Sequence, residues 1–384
     1  MRILFTCIKS ESHFRPLLPL ARGMHARGHD VRFAAIAPMA EMIKGHGFPH
    51  LVMDGPSDAD RAAFSAMVRD LPKSEIADAY VPEFFMGLLP RAALPSLLPQ
   101  LADWRPDLIV RETCELAGYL AGELQGIRHV RMEILNAWSE DLFATRFPQV
   151  LDALRAYVGL PKRRRGPFVD EAAFTLHPAQ LDRVDRTGTQ TPFRFRPATS
   201  AAPAGTQTDW LPQDGTPLIY ATFGTVTANQ TNPPPIYADT IAALADLPVS
   251  VLLTVGRDAP DALMDCAAPN IIVRRFVPQD QVFPHARLVL CHGGSGTVLA
   301  AMGAGVPMVV APSIADQPDN AHCIAAAGLG IAVPDADATS IRAAVVAALA
   351  DDSLQSQAAA VARQIAETPD LEAALDRLEA FHAT

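Results

Sequence analysis

Short apolar runs alternate with amphipathic segments in the first part of the chain. Residues 2–8, 31–36, 107–110 and 129–132 are apolar runs of strand length, and apolar side chains recur at helical spacing across residues 16–27. Apolar strands separated by helices are typical of a parallel sheet with helices on both faces. We therefore predict an α/β fold for this part of the chain.

The same alternation resumes after a segment at 201–216 that is rich in proline, alanine, glycine and threonine, which we predict to be a linker. The chain is thus predicted to form two Rossmann-like, doubly wound domains with parallel sheets, at 1–200 and 217–366. Open sheets of this kind bind ligands beyond the carboxyl ends of their strands. We expect those ends of the two domains to face a common cleft.

Two long stretches interrupt this rhythm. Residues 54–106 are rich in proline and contain an apolar patch at 84–89, and residues 138–195 are irregular and contain the basic run Lys162-Arg163-Arg164-Arg165. Long insertions in α/β domains often carry binding functions, so both stretches are candidates for ligand selection. The basic run is predicted to be a solvated loop, with an anion site as the alternative.

Composition and charge narrow the classes of function. Hydrophobic residues make up 49% of the 384 residues and charged residues 19%, enough apolar material for packed domains. The formal charge of −10 argues against a free-standing nucleic-acid binder, and no apolar run approaches the roughly 18 residues of a membrane span. The five cysteines are scattered without a C-x-x-C pair, which argues against a disulfide framework or a zinc site and favours a cytoplasmic protein.

The most informative motif lies between a predicted strand at 288–291 and a predicted helix at 296–302, and reads His292-Gly293-Gly294-Ser295-Gly296-Thr297. Glycines let a ligand approach the backbone closely, and the free N–H groups at the start of a helix favour an anion such as a diphosphate. The alternative is a tight turn with Ser295 as helix cap. The motif is not a Walker loop, because no lysine follows Gly296, and the dinucleotide spacing fails at Leu299.

Two further segments give this loop a family context. Phe276-Val277-Pro278-Gln279 precedes it and Asp316-Gln317-Pro318-Asp319-Asn320-Ala321 follows it. Together the three segments resemble the donor-binding signature of family one nucleotide-sugar glycosyltransferases, and more narrowly that of the bacterial enzymes that glycosylate macrolides, enediynes and aromatic polyketides. The resemblance implies a GT-B fold, with the acceptor on the N-terminal domain, the nucleotide sugar mainly on the C-terminal domain, and residues 367–384 as a helix that packs back on the N-terminal domain.

The resemblance also assigns donor-binding roles. It implies that Phe276 stacks on the nucleobase, that the backbone of Val277 reads its edge and that Gln279 lies beside the nucleoside. Phe276 as a core residue, Thr225 as a turn hydroxyl and Asp316 as a helix cap remain alternatives. The implied diphosphate ligands are Thr225, His292, Gly293, Gly294, Ser295, Gly296 and Thr297, and the implied ligands of the donor sugar are Asp316 and Gln317.

A catalytic pair follows from the N-terminal match. Residues 12–20 resemble the family segment G-H-x-x-P-x-x-x-L-A, which implies that His13 is the general base that deprotonates the acceptor hydroxyl. A loop or capping histidine is the alternative. The family usually supplies an aspartate after the strand at 107–110 to orient this histidine. Here Glu112 is the best positional match, and Glu115 is the alternative.

We therefore expect an inverting, hexosyltransferase-type enzyme of natural-product and antibiotic biosynthesis that moves a sugar from a dTDP- or UDP-sugar to a small hydrophobic acceptor. No cofactor or metal is expected: Asp58 and Asp60 lie in a connection, and Asp335 and Asp337 are predicted turn and cap residues. A lipid-acceptor transferase at a membrane surface and a non-catalytic auxiliary protein are the alternatives. The expected partners are the nucleotide sugar and the small hydrophobic acceptor. We expect no binding to nucleic acid and no stable insertion into a membrane, and a homodimer is an open alternative.

Overall fold

The computed structural model describes residues 1–136, 147–162, 172–182, 191–196, 209–212, 214–224, 235–265 and 268–383. The chain divides into two compact units. Unit 1 contains Met1–His177, Val184–Ala198 and Pro369–Thr384, and unit 2 contains Pro178–Arg183 and Thr199–Thr368. Thr225, most of the predicted linker and the arginines of the basic run lie outside the described residues.

Unit 1 is built on a parallel sheet with the strand order β3-β2-β1-β4-β5-β6-β7. In the register of the central strands, Phe5 of β1 pairs with Phe33 of β2 and with Val110 of β4. The strands are β1 (Arg2–Thr6), β2 (Asp30–Ile36), β3 (His50–Met53), β4 (Leu108–Glu112), β5 (Arg128–Glu133), β6 (Ala172–Thr175) and β7 (Phe193–Arg194).

Alternate residues of the first strand supply two cores, one on each face of this sheet. Ile3 and Phe5 pack with Leu20 of the helix that follows, whereas Leu4 packs with Leu97 and Leu120 on the other face. This two-sided burial explains why the strand is apolar throughout. The helices of this part of the chain are α1 (Glu11–Phe14), α2 (Leu18–Ala26), α3 (Ala40–Gly45), α4 (Asp58–Arg69), α5 (Lys73–Ala79), α6 (Leu89–Trp104), α7 (Ala117–Gln125) and α8 (Pro148–Tyr157).

The proline-rich stretch that interrupts the predicted rhythm is largely helical. A π-helix, Tyr80–Leu88, joins α5 to α6, which keeps Pro95 and Pro99 in its interior. The predicted apolar patch at 84–89 is buried or half-buried, and the rings of Phe64, Tyr80, Phe84 and Phe85 pack against one another there. Within the described residues, no helix combines the length and the apolar character needed to cross a bilayer.

Unit 2 repeats the architecture with the strand order β10-β9-β8-β11-β12-β13, again all parallel. Its strands are β8 (Leu218–Thr222), β9 (Ser250–Thr254), β10 (Ile271–Arg274), β11 (Ala286–Cys291), β12 (Met308–Val310) and β13 (Gly330–Ala332). Its helices are α9 (Ile236–Leu244), α10 (Gln279–Val282), α11 (Ser295–Ala304), α12 (Gln317–Ala326), α13 (Ala338–Ala350) and α14 (Asp352–Ala366). The prediction of two doubly wound parallel sheets is confirmed.

The last helix, α15 (Leu371–Ala383), belongs to unit 1 and packs on α2. Leu375 joins the core there, and a Cβ at Gly23 would lie 2.5 Å from its side chain, so only glycine permits this approach. Arg27 forms ion pairs with three carboxylates of this helix, those of Glu372, Asp376 and Glu379.

Each sheet has one point at which the strand order reverses, between β1 and β4 in unit 1 and between β8 and β11 in unit 2. At such a switch point the loops leave neighbouring strands in opposite directions and open a crevice, which is where doubly wound sheets bind ligands. These two places are where the topology favours ligand-binding residues.

Candidate active site

In unit 1, the switch point brings His13 and Glu112 together. His13 lies on α1, shortly after β1, and Glu112 ends β4. Nδ1 of the imidazole lies 3.1 Å from Oε2 of the carboxylate, with the His13 side chain 17% exposed and that of Glu112 fully buried. This is the distance of an ion pair, although Nδ1 makes no hydrogen bond with the described residues.

Backbone groups fix the position of the Glu112 carboxylate. Oε1 accepts a hydrogen bond from Ile8 N–H at 3.2 Å, and Oε2 accepts one from Cys114 N–H at 2.7 Å. The two donors come from the loops after β1 and β4, the strands that flank the switch point. The carboxylate is therefore held in place by the backbone, independently of the histidine.

Glu115, the alternative partner of His13, makes different contacts. Its carboxylate accepts hydrogen bonds from the Thr6 hydroxyl and from the N–H groups of Ala117 and Gly118 in the first turn of α7. Burial raises the pKa of Glu115 above its ordinary value, although these hydrogen bonds oppose the shift. Glu115 thus anchors a helix, and the carboxylate that contacts His13 is that of Glu112.

Two buried cysteines lie beside the pair. Cys7 and Cys114 line a small, mainly apolar cavity of about 40 Å³, together with Ile36, Leu89 and Ala93. Burial, helped by the nearby charges of the two glutamates, raises the pKa of Cys7 well above its ordinary value, so this thiol stays protonated. The sulfur of Cys114 lies within 4.8 Å of ligand atoms of both His13 and Glu112, a spacing that could hold a metal ion.

In unit 2, the glycine-rich loop joins β11 to α11. Gly293 has φ +86°, and a Cβ there would lie 2.8 Å from the Val310 side chain, so the loop requires glycine. A Cβ at Gly294 would lie 2.5 Å from the His292 ring. At Gly296, in the first turn of α11, a Cβ would meet nothing within 4 Å. The protein therefore packs closely around the start of the loop and leaves open space at the helix N-terminus.

The His292 ring closes one side of this loop. It lies against Gly294 and against Gly224 after β8, where a Cβ would be 2.9 Å from Nε2. Burial lowers the pKa of His292, although the nearby Asp316 carboxylate and the backbone of Thr222 oppose the shift, so the ring is neutral near pH 7. Its Nδ1 is buried and has no hydrogen-bond partner among the described residues. A buried ring nitrogen without a partner beside a helix N-terminus suits an oxygen-rich ligand.

The loop hydroxyls connect the predicted donor residues. Ser295 Oγ donates to Asp316 Oδ2 at 2.8 Å, and Gln279 Nε2 donates to Thr297 Oγ1 at 3.1 Å. Asn320 Nδ2 donates to the Gly293 carbonyl at 2.8 Å and to Asp316 Oδ2 at 2.9 Å. Asn320 is fully buried and was not predicted as a site residue; its spacing of four residues from Asp316 on a helix was the available signal.

Gln317 is held by backbone hydrogen bonds, and Phe276 is partly exposed. Gln317 Oε1 accepts hydrogen bonds from the N–H groups of Ser313 and Ile314 at 2.9 and 3.1 Å, which leaves its amide N–H₂ for other partners. Phe276 is 44% exposed, whereas the Val277 side chain is buried in the core of unit 2. The structure brings His292–Thr297, Gln279, Asp316 and Gln317 together and places Phe276 three residues before Gln279.

The comparison with known proteins agrees with this architecture. Residues 238–381 match the family described as erythromycin biosynthesis protein CIII-like, C-terminal domain. Tylactone mycaminosyltransferase of Streptomyces fradiae is 28% identical over 432 aligned positions that cover 100% of this chain and 93% of that protein. TDP-daunosamine transferase DnrS of Streptomyces peucetius is 27% identical, with 100% and 97% covered.

Solved structures show the same fold. Spinosyn rhamnosyltransferase SpnG aligns with a TM-score of 0.79 at 22% identity, covering 99% of this chain and 100% of its own. The glycosyltransferase VinC, determined in complex with dTDP, aligns with a TM-score of 0.78 at 22% identity, covering 100% of both chains. The fold and the family match confirm the predicted resemblance of this chain to the GT-B glycosyltransferases of bacterial natural-product biosynthesis.

Proposed function

We propose that this chain transfers a sugar from a dTDP- or UDP-sugar to a hydroxyl group of a small hydrophobic natural-product acceptor, with inversion at the anomeric carbon. The observation that carries the proposal is the His13–Glu112 pair at the switch point of unit 1. Tylactone mycaminosyltransferase and DnrS, whose names describe sugar transfer, are similar over the whole chain and support it.

His13 is the general base in this mechanism. It takes the acceptor proton as the oxygen attacks the anomeric carbon, and Glu112 stabilises the imidazolium that forms. The carboxylate is held by two backbone N–H groups, so it stays in place while the ring charge changes. A general base of this kind contributes about 10²- to 10⁴-fold to the rate.

The leaving nucleoside diphosphate gains negative charge as the bond to the sugar breaks. The loop of unit 2 supports binding of this group, because α11 begins there without a side-chain cap and with open space at Gly296. His292 contributes a neutral ring with a free buried nitrogen rather than a fixed charge. One in-line displacement of this kind inverts the configuration, so an α-linked donor yields a β-glycoside.

The mechanism as proposed needs no metal ion, because the helix N-terminus and the loop provide the electrostatic stabilisation. Of the predicted D-x-D residues, Asp60 completes a capping box with Ser57, and Asp337 caps α13 through Ser340 N–H. These carboxylates are therefore used by helix termini.

The His13→Ala variant tests the proposal. With dTDP-glucose or UDP-glucose as donor and 4-methylumbelliferone as acceptor, we expect turnover to fall at least about 100-fold while nucleotide affinity stays close to that of the wild type. His25→Ala is the matched control, because His25 is an exposed histidine on neighbouring α2. Unchanged turnover in His13→Ala would remove His13 as the base, and an α-configured product from an α-linked donor, seen by NMR, would exclude inversion.

A further inference from the structure

A cation and an aromatic ring lie together at the ligand-binding edge of unit 2. The guanidinium carbon of Arg257 is 3.8 Å from the centroid of the Phe276 ring, so the cation covers one face of the ring. Phe276 is still 44% exposed, and Arg257 is exposed as well. The Phe276 ring therefore contributes little to the core, although the resemblance makes it the residue nearest the nucleobase.

The backbone holds these two residues side by side. β9 and β10 are neighbouring parallel strands, and their pairing continues beyond their ends, where Gly256 N–H donates to the Arg275 carbonyl at 2.9 Å. Gly256 has φ +96°, a conformation that favours glycine. The next residues along the two segments are Arg257 and Phe276, so the turn at Gly256 directs the arginine over the ring.

The loop that carries Arg257 is also anchored at its far end. The Arg275 guanidinium donates to the carbonyl of Ala259, which is buried, and forms an ion pair with Asp261. A short loop fixed at both ends presents Arg257 in a defined position before any ligand binds. Such preorganisation reduces the entropy that a binding residue loses when a ligand orders it.

Three arginines lie in this corner of unit 2, and Arg257 differs from the other two. Arg274 pairs with Asp209, and Arg275 pairs with Asp261. In the described part of the chain, Arg257 has no carboxylate partner, and its contact is the ring of Phe276. The outer face of its guanidinium and its N–H groups are therefore available to a ligand.

The position of Arg257 relates it to the diphosphate loop. β9 lies between β10 and β8, and Arg257 follows β9 by three residues, so it lies at the same edge of the sheet as Phe276 after β10 and Gly224 after β8. Gln279, three residues after Phe276, hydrogen-bonds to Thr297 in the first turn of α11. A nucleotide whose phosphates bind at that turn would extend its base towards Arg257 and Phe276.

On the basis of the proposed function, we propose that Arg257 is a further nucleotide-binding residue, whose guanidinium, held over the Phe276 ring, is the surface on which the nucleobase stacks. Phe276 then acts as a positioning residue for the guanidinium. Arginine suits this role because its planar group stacks on aromatic systems on both of its faces, which a lysine ammonium cannot do.

The test compares Arg257→Lys, which keeps the charge and loses the plane, with Arg257→Met, which loses both. By calorimetry with dTDP, or with UDP if the wild type binds UDP better, we expect each variant to bind about tenfold more weakly, as for loss of one stacked base. The affinity for inorganic pyrophosphate should stay unchanged in both. Arg274→Met is the matched control from the same corner and should bind like the wild type.

Each other outcome overturns the assignment. Wild-type affinity in Arg257→Lys, or a loss of pyrophosphate affinity in Arg257→Met but not in Arg257→Lys, would mean that Arg257 acts by charge on the phosphates. An equal loss of pyrophosphate affinity in both variants would mean that the guanidinium contacts the phosphates and not the nucleobase. Phe276→Ala should weaken binding to a similar degree, and combining it with Arg257→Met should add no further loss, because the residues act as one surface. If the wild type binds neither nucleotide, the proposed function itself fails and this assignment with it, whereas wild-type affinity in every variant overturns the assignment alone.

Discussion

The strand order reverses between β1 and β4 in unit 1 and between β8 and β11 in unit 2, and the two switch points carry opposite chemistry. Glu112 and Glu115 are buried at the first, where they accept backbone hydrogen bonds beside His13. Glycines dominate the second, with a helix N-terminus and the neutral ring of His292. The same topology thus places buried carboxylates beside a histidine in unit 1, and a glycine-rich helix N-terminus beside a neutral histidine in unit 2.

In the proposed mechanism, this difference assigns the two ends of the transfer reaction to the two units. In the proposed mechanism, the buried carboxylate orients the imidazole beside it for proton transfer, as a general base requires. The open space at a helix N-terminus beside an uncharged histidine suits a bound anion, as the proposed leaving diphosphate requires. This contrast leads to three predictions.

The first concerns the open space in unit 2. Gly296→Ala places a methyl group where we expect the diphosphate, so nucleotide affinity should fall by about 100-fold or more while the fold is kept, because the Cβ meets no protein atom. Gly303→Ala, in the same helix and also without neighbours within 4 Å, is the control and should bind normally. Calorimetric titration with dTDP measures the affinity of both variants. Normal binding by Gly296→Ala would mean that the diphosphate does not bind at this helix N-terminus.

The second concerns the two buried glutamates of unit 1. Glu112→Gln and Glu115→Gln each remove a buried acceptor, so each should lower the free energy of unfolding by about 1–3 kcal/mol. Only Glu112→Gln should also lower kcat, by about tenfold or more, and change the pH profile of turnover, because Glu112 is the residue in contact with His13. Equal changes in kcat for the two variants would leave Glu112 with a structural role.

The third concerns pH and His292. Burial lowers the pKa of His292 in the folded chain, so below about pH 6.5 the unfolded chain binds the proton more readily and the folded state loses stability as the pH falls. The contribution is at most about 1.4 kcal/mol per pH unit. The free energy of unfolding, measured with denaturant, should therefore fall more steeply from pH 6.5 to pH 5 in the wild type than in His292→Gln. Bound dTDP should reduce that difference, because a nearby anion favours the charged ring. The same pH dependence in the wild type and in His292→Gln would contradict a pKa of His292 that is lowered by burial.

The sequence predicted the strands well where both faces of a sheet are covered. Residues 218–222 and 271–274 were predicted as strands and correspond to β8 and β10. β8 is buried at every position and is therefore almost entirely apolar, whereas β10 is recognised by its short apolar run. The prediction missed α6 and the π-helix before it, since prolines conceal a helical pattern. It also missed β6, a short strand of alanine, phenylalanine and threonine inside an irregular stretch.

The chain's own residue pattern determined the local chemistry: a strand, a glycine turn and a helix N-terminus at 291–297, and a histidine after the first strand. Those features depend on residues close in sequence, where spacing and steric rules apply directly. Only the tertiary structure decided which carboxylate contacts His13. Glu112 ends β4 and lies beside His13, whereas Glu115, three residues later, accepts hydrogen bonds from the first turn of α7. It likewise brought Asn320 to Gly293 and Arg257 to Phe276, because these contacts depend on how separate strands and helices pack, which the local sequence pattern does not specify.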